Sequence, residues 1–234
     1  MRGEFESGKR ISKKKQVMTR LRQAILSGAI KGGDQIAELS LAQEFGVGHG
    51  VIREALIELE HQGLVQRTPF TGTTVTELTL EDVQDIFEVR IELEPLAFAL
   101  AAKNARESDT SVLSEIVEKS KLQATGEDLD GFFEGYLEFS RKVWEVSGNR
   151  YLQPALERIV VPLFALHRIQ RQHNREGIFQ TVLECLEYQE GVLDALRRNE
   201  SESARQIARE FLVRTKENLE TRLVRETPRT YRRK

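Results

Sequence analysis

The sequence predicts a mainly α chain in two parts: a run of short helices closed by a β-hairpin, then an all-α helical bundle. Three observations predict this. Apolar residues recur at helical spacing along most of the chain. The only two β-rich runs lie before residue 79 and flank a Pro- and Gly-containing turn. Only five of 234 residues are proline, and the chain is rich in Glu, Leu, Arg and Ala, which favour helix.

The elements follow in order. Val17, Leu21 and Ile25 mark one face of a first helix, which Gly28 ends before the Gly32-Gly33 turn. Ser40 to Phe45 reads as a short helix closed by Gly46. After Gly46-Val47-Gly48-His49-Gly50, the residues Ile52, Ala55, Leu56 and Leu59 define another helix, closed by Gly63. Two short helices joined by a glycine-containing turn form a helix-turn-helix unit. Leu64 to Thr68 and Thr73 to Thr76 read as strands around the Pro69-Phe70-Thr71-Gly72 turn, a β-wing. From residue 79 onward there is no strand signal. Thr79, with Glu81 and Asp82, starts a helix carrying Val83, Ile86, Phe87 and Ile91, and Pro95 is expected to kink it or delay one stretch. Amphipathic stretches follow over about 110–124, 128–147, 149–170, 176–198 and 201–225. Six or so such helices provide an ample core.

Charge is uneven. The net charge of −2 excludes a uniformly basic nucleic-acid binder. Residues 1–31, however, hold nine basic and two acidic residues. Within them Lys13, Lys14 and Lys15 sit just ahead of the first helical pattern, as a solvated arm or as phosphate contacts. The single cysteine, Cys185, excludes an intramolecular disulfide framework and fits a reducing compartment. No apolar run suggests a membrane span or a signal peptide. These features predict a cytoplasmic protein. Phosphate-binding loops, nucleophile elbows and Cys/His pairs in a plausible frame are not found, so the sequence does not read as an enzyme.

The order helix, helix-turn-helix, wing resembles the winged-helix DNA-binding domain of the GntR superfamily. Gly46-Val47, Val51-Ile52-Arg53-Glu54-Ala55-Leu56, Leu59-Glu60 and Gly63-Leu64-Val65 carry the match, with Leu21, Ile25, Gly28, Ile30 and Gly33 in the first helix. The remainder resembles the all-helical, FCD-like effector domain of the FadR-type subgroup. There the match lies in Phe87-Glu88-Val89-Arg90 with Glu94, in Ser147-Gly148-Asn149, in Val192-Leu193-Asp194-Ala195, and around Ala204, Ala208 and Leu212. The resemblance implies a DNA-binding domain over 1–78 and an effector-binding, dimerising domain over 79–234.

It also implies site residues. DNA contact falls to Lys13, Lys14, Lys15, Gly48, His49, Gly50, Arg53, Thr71 and Gly72. The chain departs from the family pattern at Gly48-His49-Gly50-Val51, where a Ser-Arg-Thr-Pro type segment is usual, and at Thr71-Gly72, where Arg-Gly is common. His49 lacks the fork with which an arginine grips guanine, whereas bare backbone N–H groups beside the glycines still suit a phosphate. Arg53 is either a DNA contact or a surface partner of Glu54 or Glu58.

Many members of the subgroup hold a divalent metal with one Asp and three His. Here the equivalent positions carry Tyr136, Ser140, Gln189 and Phe211, so no metal or other cofactor is expected. Those four residues either offer neutral hydrogen bonds and apolar surface to an effector or merely fill the core. Arg90 either grips a carboxylate or pairs with Glu94 one turn on. His167 lies on a mostly apolar stretch as a core residue or a ligand contact, and His61 and His173 are expected to face solvent.

The implied protein is a ligand-responsive transcriptional regulator. As a homodimer it binds a palindromic double-stranded DNA operator. Its effector is a small molecule, either an organic acid or a more apolar metabolite. Two alternatives stay open: a constitutive or architectural DNA-binding dimer without effector, and a ligand-binding or interaction protein whose winged part has lost specific DNA binding.

Overall fold

The computed structural model describes residues 12–171 and 176–226, with side chains described over 12–164 and 179–221. The chain divides into two compact units between Glu77 and Leu78.

The first unit comprises α1 (Lys13–Leu26), β1 (Gln35–Ile36), α2 (Glu38–Phe45), α3 (His49–His61), β2 (Val65–Thr68) and β3 (Gly72–Val75). The expected α1 stripe, Val17, Leu21 and Ile25, is buried, and α1 packs on α3 through Ile52, Ala55, Leu56 and Leu59, all fully buried. Gly46 ends α2 in the left-handed conformation (φ 58°), which glycine adopts without a Cβ penalty and which turns the chain toward α3. The antiparallel sheet has the order β1-β3-β2. The sequence reading missed β1, because two residues are too few to show alternation. The wing is tied to α3 and to the turn that follows it. The Arg67 backbone N–H donates to Glu60 (3.2 Å), and the Thr76 hydroxyl donates to the Gly63 carbonyl (2.6 Å).

The second unit, among the described residues, is six helices: α4 (Leu80–Asn104), α5 (Glu107–Thr125), α6 (Leu129–Val146), α7 (Leu152–Arg171), α8 (Glu176–Arg197) and α9 (Ser201–Glu226). Thr79 caps α4 in a reciprocal box with Asp82, as its sequence context predicts. Of the two outcomes expected at Pro95, a delayed stretch is not found, since α4 is one continuous helix. The helix continues through it, with Pro95 buried inside the bundle. A proline deletes one backbone hydrogen bond, and packing on both sides of that point outweighs the loss. The Ser147-Gly148-Asn149 turn starts α7 three residues later than the periodicity suggests. Asn149 Oδ1 accepts from the N–H groups of Tyr151 and Leu152, and Asn104 donates to the Ser147 carbonyl (2.8 Å), joining this turn to the end of α4. α4 is the central helix, packed on α6, α7, α8 and most extensively on α9.

Candidate nucleic-acid interface and candidate effector site

In the first unit, burial of Ile52, Ala55, Leu56 and Leu59 turns the opposite face of α3 to solvent. That face presents His49, Gly50, Arg53 and Glu54. Arg53 makes no ion pair among the described residues, so neither Glu54 nor Glu58 neutralises it. Lys13, Lys14 and Lys15 do not form an arm ahead of the helix; they are the first turn of α1, with Ser12 as its cap. The expectation of an arm overlooked Ser12, whose hydroxyl accepts from the Lys15 N–H and starts the helix one turn earlier. Three lysines there oppose the helix dipole, which favours anions at that end. Lys13 reaches the turn ahead of α3, its Nζ donating to the Gly46 carbonyl at 3.5 Å. Arg20, which the sequence reading did not single out, lies over the Phe45 ring at the end of α2 (5.7 Å). Tertiary packing thus brings cations of α1 to the helix-turn-helix turn.

Gly48 is the N-cap of α3 and offers no side-chain cap; Gly50 lies in its first turn. A Cβ at either position meets nothing within 4 Å, and neither has a positive φ. The fold therefore does not require glycine at these positions. Gly50→Ala is expected to stabilise the first unit by about 0.5–1 kcal/mol. If a phosphate approaches the bare backbone there, the same change will weaken DNA binding. Thermal unfolding and a DNA titration on one sample check the opposed signs, and a variant that gains stability with unchanged DNA affinity removes Gly50 from the interface.

At the wing, Thr71 and Gly72 are exposed, and Gly72 has φ 101°. Beside them Phe70, absent from the sequence-derived set, is fully exposed at the hairpin tip with φ 66°.

The second unit gathers most of the sequence-derived effector set into its interior. Arg90 and Glu94 (α4), Tyr136 and Ser140 (α6), Gln189 (α8) and Phe211 (α9) are all buried. Tyr188, Trp144 and Phe164 join them and were not anticipated, because each reads as ordinary core in a helical pattern. Tyr188 stacks on Phe211 with ring centroids 4.1 Å apart. Tyr136 lies 5.7–6.1 Å from Phe164, Tyr188 and Phe211, all tilted. The side chain of His167 lies outside the described residues, as does His173. His61 is exposed, as expected.

Arg90 faces inward, yet Glu94 already holds it: Arg90 Nε donates to Glu94 Oε2 at 2.5 Å. The other carboxylate oxygen accepts from the Trp144 indole N–H at 3.2 Å. Burial is the largest single influence and would lower the Arg90 pKa; the Glu94 charge and hydrogen bond, together with the Tyr136 and Tyr188 phenols, outweigh it and hold the guanidinium above its ordinary range. Burial pushes the Tyr136 and Tyr188 phenols well up, with the Arg90 cation pulling the other way, so both stay protonated donors. The Ser140 hydroxyl donates to the Tyr136 carbonyl one turn back (3.2 Å). Four buried atoms of this region have no hydrogen-bond partner: Arg90 Nη2, the Tyr188 hydroxyl, and both Gln189 side-chain atoms, Nε2 and Oε1. Each such group costs about 1–3 kcal/mol, which is large against a net stability of about 5–15 kcal/mol.

The residues present do not fit a divalent metal. The four implied ligand positions carry a phenol, a hydroxyl, an amide and a phenyl ring. Among the described residues no group of three or more His, Cys, Asp or Glu side chains could hold one. No helix among the described residues is long and apolar enough to cross a membrane.

Comparison with known proteins matches both units. The family described as "Bacterial regulatory proteins, gntR family" matches residues 13–75, and the FCD domain matches residues 85–214. An uncharacterized HTH-type transcriptional regulator of Bacillus subtilis, YdhC, is 33% identical over 145 residues, covering 62% of this chain and 65% of the relative. The gluconate operon transcriptional repressor of Bacillus subtilis is 31% identical over 138 residues, covering 59% of this chain and 56% of the relative. The chain thus spans less than two thirds of the length of either relative. The solved structure of Escherichia coli McbR/YncC shares the fold, with a TM-score of 0.76 at 23% identity over 93% of this chain and all of that one. These relatives are transcriptional regulators rather than enzymes. With its second unit matched over more than half of the chain and its first matched from α1 to the wing, this protein belongs to the GntR family of bacterial regulatory proteins, in the group that carries an FCD domain.

Proposed function

We propose that the protein is a cytoplasmic, effector-responsive transcriptional regulator. Residues 1–78 bind operator DNA, and residues 79–234 dimerise the protein and sense a small molecule. The observation that carries the DNA reading is the solvent face of α3. Its exposed, unpaired Arg53 and bare Gly48 and Gly50 lie on the helix whose turn also receives Lys13. Such a helix fits the major groove with its N-terminus toward bases and phosphates, while a wing carrying Thr71 and Gly72 reaches the adjacent backbone. A homodimer places two such helices on a palindromic operator, about one helical turn apart. The effector acts by population shift, binding one arrangement of the dimer better than another. The unpartnered polar atoms among the aromatic rings of the bundle support an effector there.

One experiment tests the DNA reading: footprinting of the protein's own promoter region with the wild type and Arg53→Ala. The wild type should protect two half-sites. Arg53→Ala should lose about 1–3 kcal/mol of operator affinity, the cost of a base or tight phosphate contact. Equal protection by Arg53→Ala would remove Arg53 from the interface. No protection by the wild type favours a protein whose winged unit no longer binds a specific site.

A further inference from the structure

We propose that the bundle interior takes an uncharged planar ligand bearing a primary amide or lactam edge, and that Glu94 enforces this choice by neutralising Arg90. This rests on reading the bundle as the effector site, and names the class of ligand that site accepts.

Arg90 is the cation that a carboxylate effector would seek, and Glu94 has already taken its Nε. The pair is net neutral. Arg90 is also the cation that acts on the Tyr136 and Tyr188 phenols. A carboxylate entering here must displace Glu94 or share one guanidinium with it. Either way a buried negative charge is left uncompensated. Glu94 cannot swing aside without also releasing the Trp144 indole N–H.

The hydrogen-bond inventory says what the region lacks. Arg90 Nη2 and the Tyr188 O–H are donors in need of an acceptor. Gln189 needs both, an acceptor for Nε2 and a donor for Oε1. Gln189 lies one turn from Cys185 on α8, hence on the same face, and Cys185 acts on both Tyr136 and Tyr188. An amide or lactam carries N–H and C=O side by side and returns both bonds to Gln189, as a side-chain amide pairs with the edge of adenine. Its carbonyl has a second lone pair for Arg90 or Tyr188. The rings of Tyr136, Phe164, Tyr188 and Phe211 suit a flat partner. Among the described residues a metal-gripped acid, by contrast, finds neither a set of metal ligands nor an Arg90 free of Glu94.

The matched probes are benzamide and benzoate, equal in shape and different in charge. Trp144 is the only tryptophan of the chain and touches Glu94, so its emission reports on the site; ligand-observed NMR gives an independent readout. The full-length protein should bind benzamide at least about ten-fold tighter than benzoate, a difference of about 1.4 kcal/mol. Glu94→Gln uncovers the Arg90 charge and should reverse the order. Gln189→Leu should abolish the benzamide response. The wild-type comparison stands without either variant, should one fail to fold. Equal or tighter benzoate binding by the wild type, lost in Gln189→Leu, overturns the neutral-ligand inference and leaves the effector site standing. No response to either probe, in wild type or Glu94→Gln, removes both.

Discussion

Glu94→Ala should cost about 3–5 kcal/mol of stability in the helical unit. The carboxylate is fully buried and makes two contacts that nothing else replaces, with Arg90 at 2.5 Å and the Trp144 indole at 3.2 Å. Its removal strands a guanidinium that already has one unpartnered nitrogen, and orphans the indole N–H as well. A buried ion pair contributes little net stability when intact, because desolvation offsets the attraction. The loss on breaking it is large because the surviving charge cannot reach water. Urea unfolding followed by Trp144 fluorescence isolates this unit, since the first unit has no tryptophan. A loss below about 1 kcal/mol would mean that Arg90 finds another partner or reaches solvent on relaxation.

Replacing Lys13, Lys14 and Lys15 together by Gln should weaken binding to all DNA alike and flatten the salt dependence. Each phosphate contact adds about 0.9 to the slope of log affinity against log salt, so three lysines account for up to about 2.7 per protomer. Near 0.1 M salt that corresponds to a loss on the order of a hundred-fold or more. The fold should not suffer. These residues sit at the positive end of the α1 dipole, so neutralising them relieves a repulsion of about 0.3–1 kcal/mol each at most. That opposition separates DNA binding from folding in one variant: weaker DNA, equal or higher stability. An unchanged salt slope would reduce the cluster to a solvated helix start.

Much of the architecture was legible in the sequence. Apolar spacing in α1 and α3 marked the faces that are buried, and Thr79 with Asp82 marked the start of α4. Gly46 and the Pro69–Gly72 turn marked the helix-turn-helix and the wing. Local signals failed where a local rule competed with packing. Pro95 reads locally as a kink or the delay of one stretch, and the helix is carried through it within the surrounding bundle. β1 exists only because β3 lies beside it.

The candidate sites divide in the same way. The sequence by itself determined which residue types occupy the solvent face of α3 and which stand at the four positions that the family resemblance implies for metal ligands. Those follow from periodicity and motif alignment, which are properties of the chain. Only the tertiary structure decided that Glu94 holds the Arg90 Nε while reaching Trp144, fifty residues away. It alone placed Tyr188 against Phe211, left Gln189 without partners, and brought Lys13 to Gly46 across thirty-three residues. The physical reason is that helical periodicity specifies which face of an element is buried, whereas the partner of that face depends on how the helices pack. Hydrogen bonds, charge neutralisation and their absence are properties of that packing.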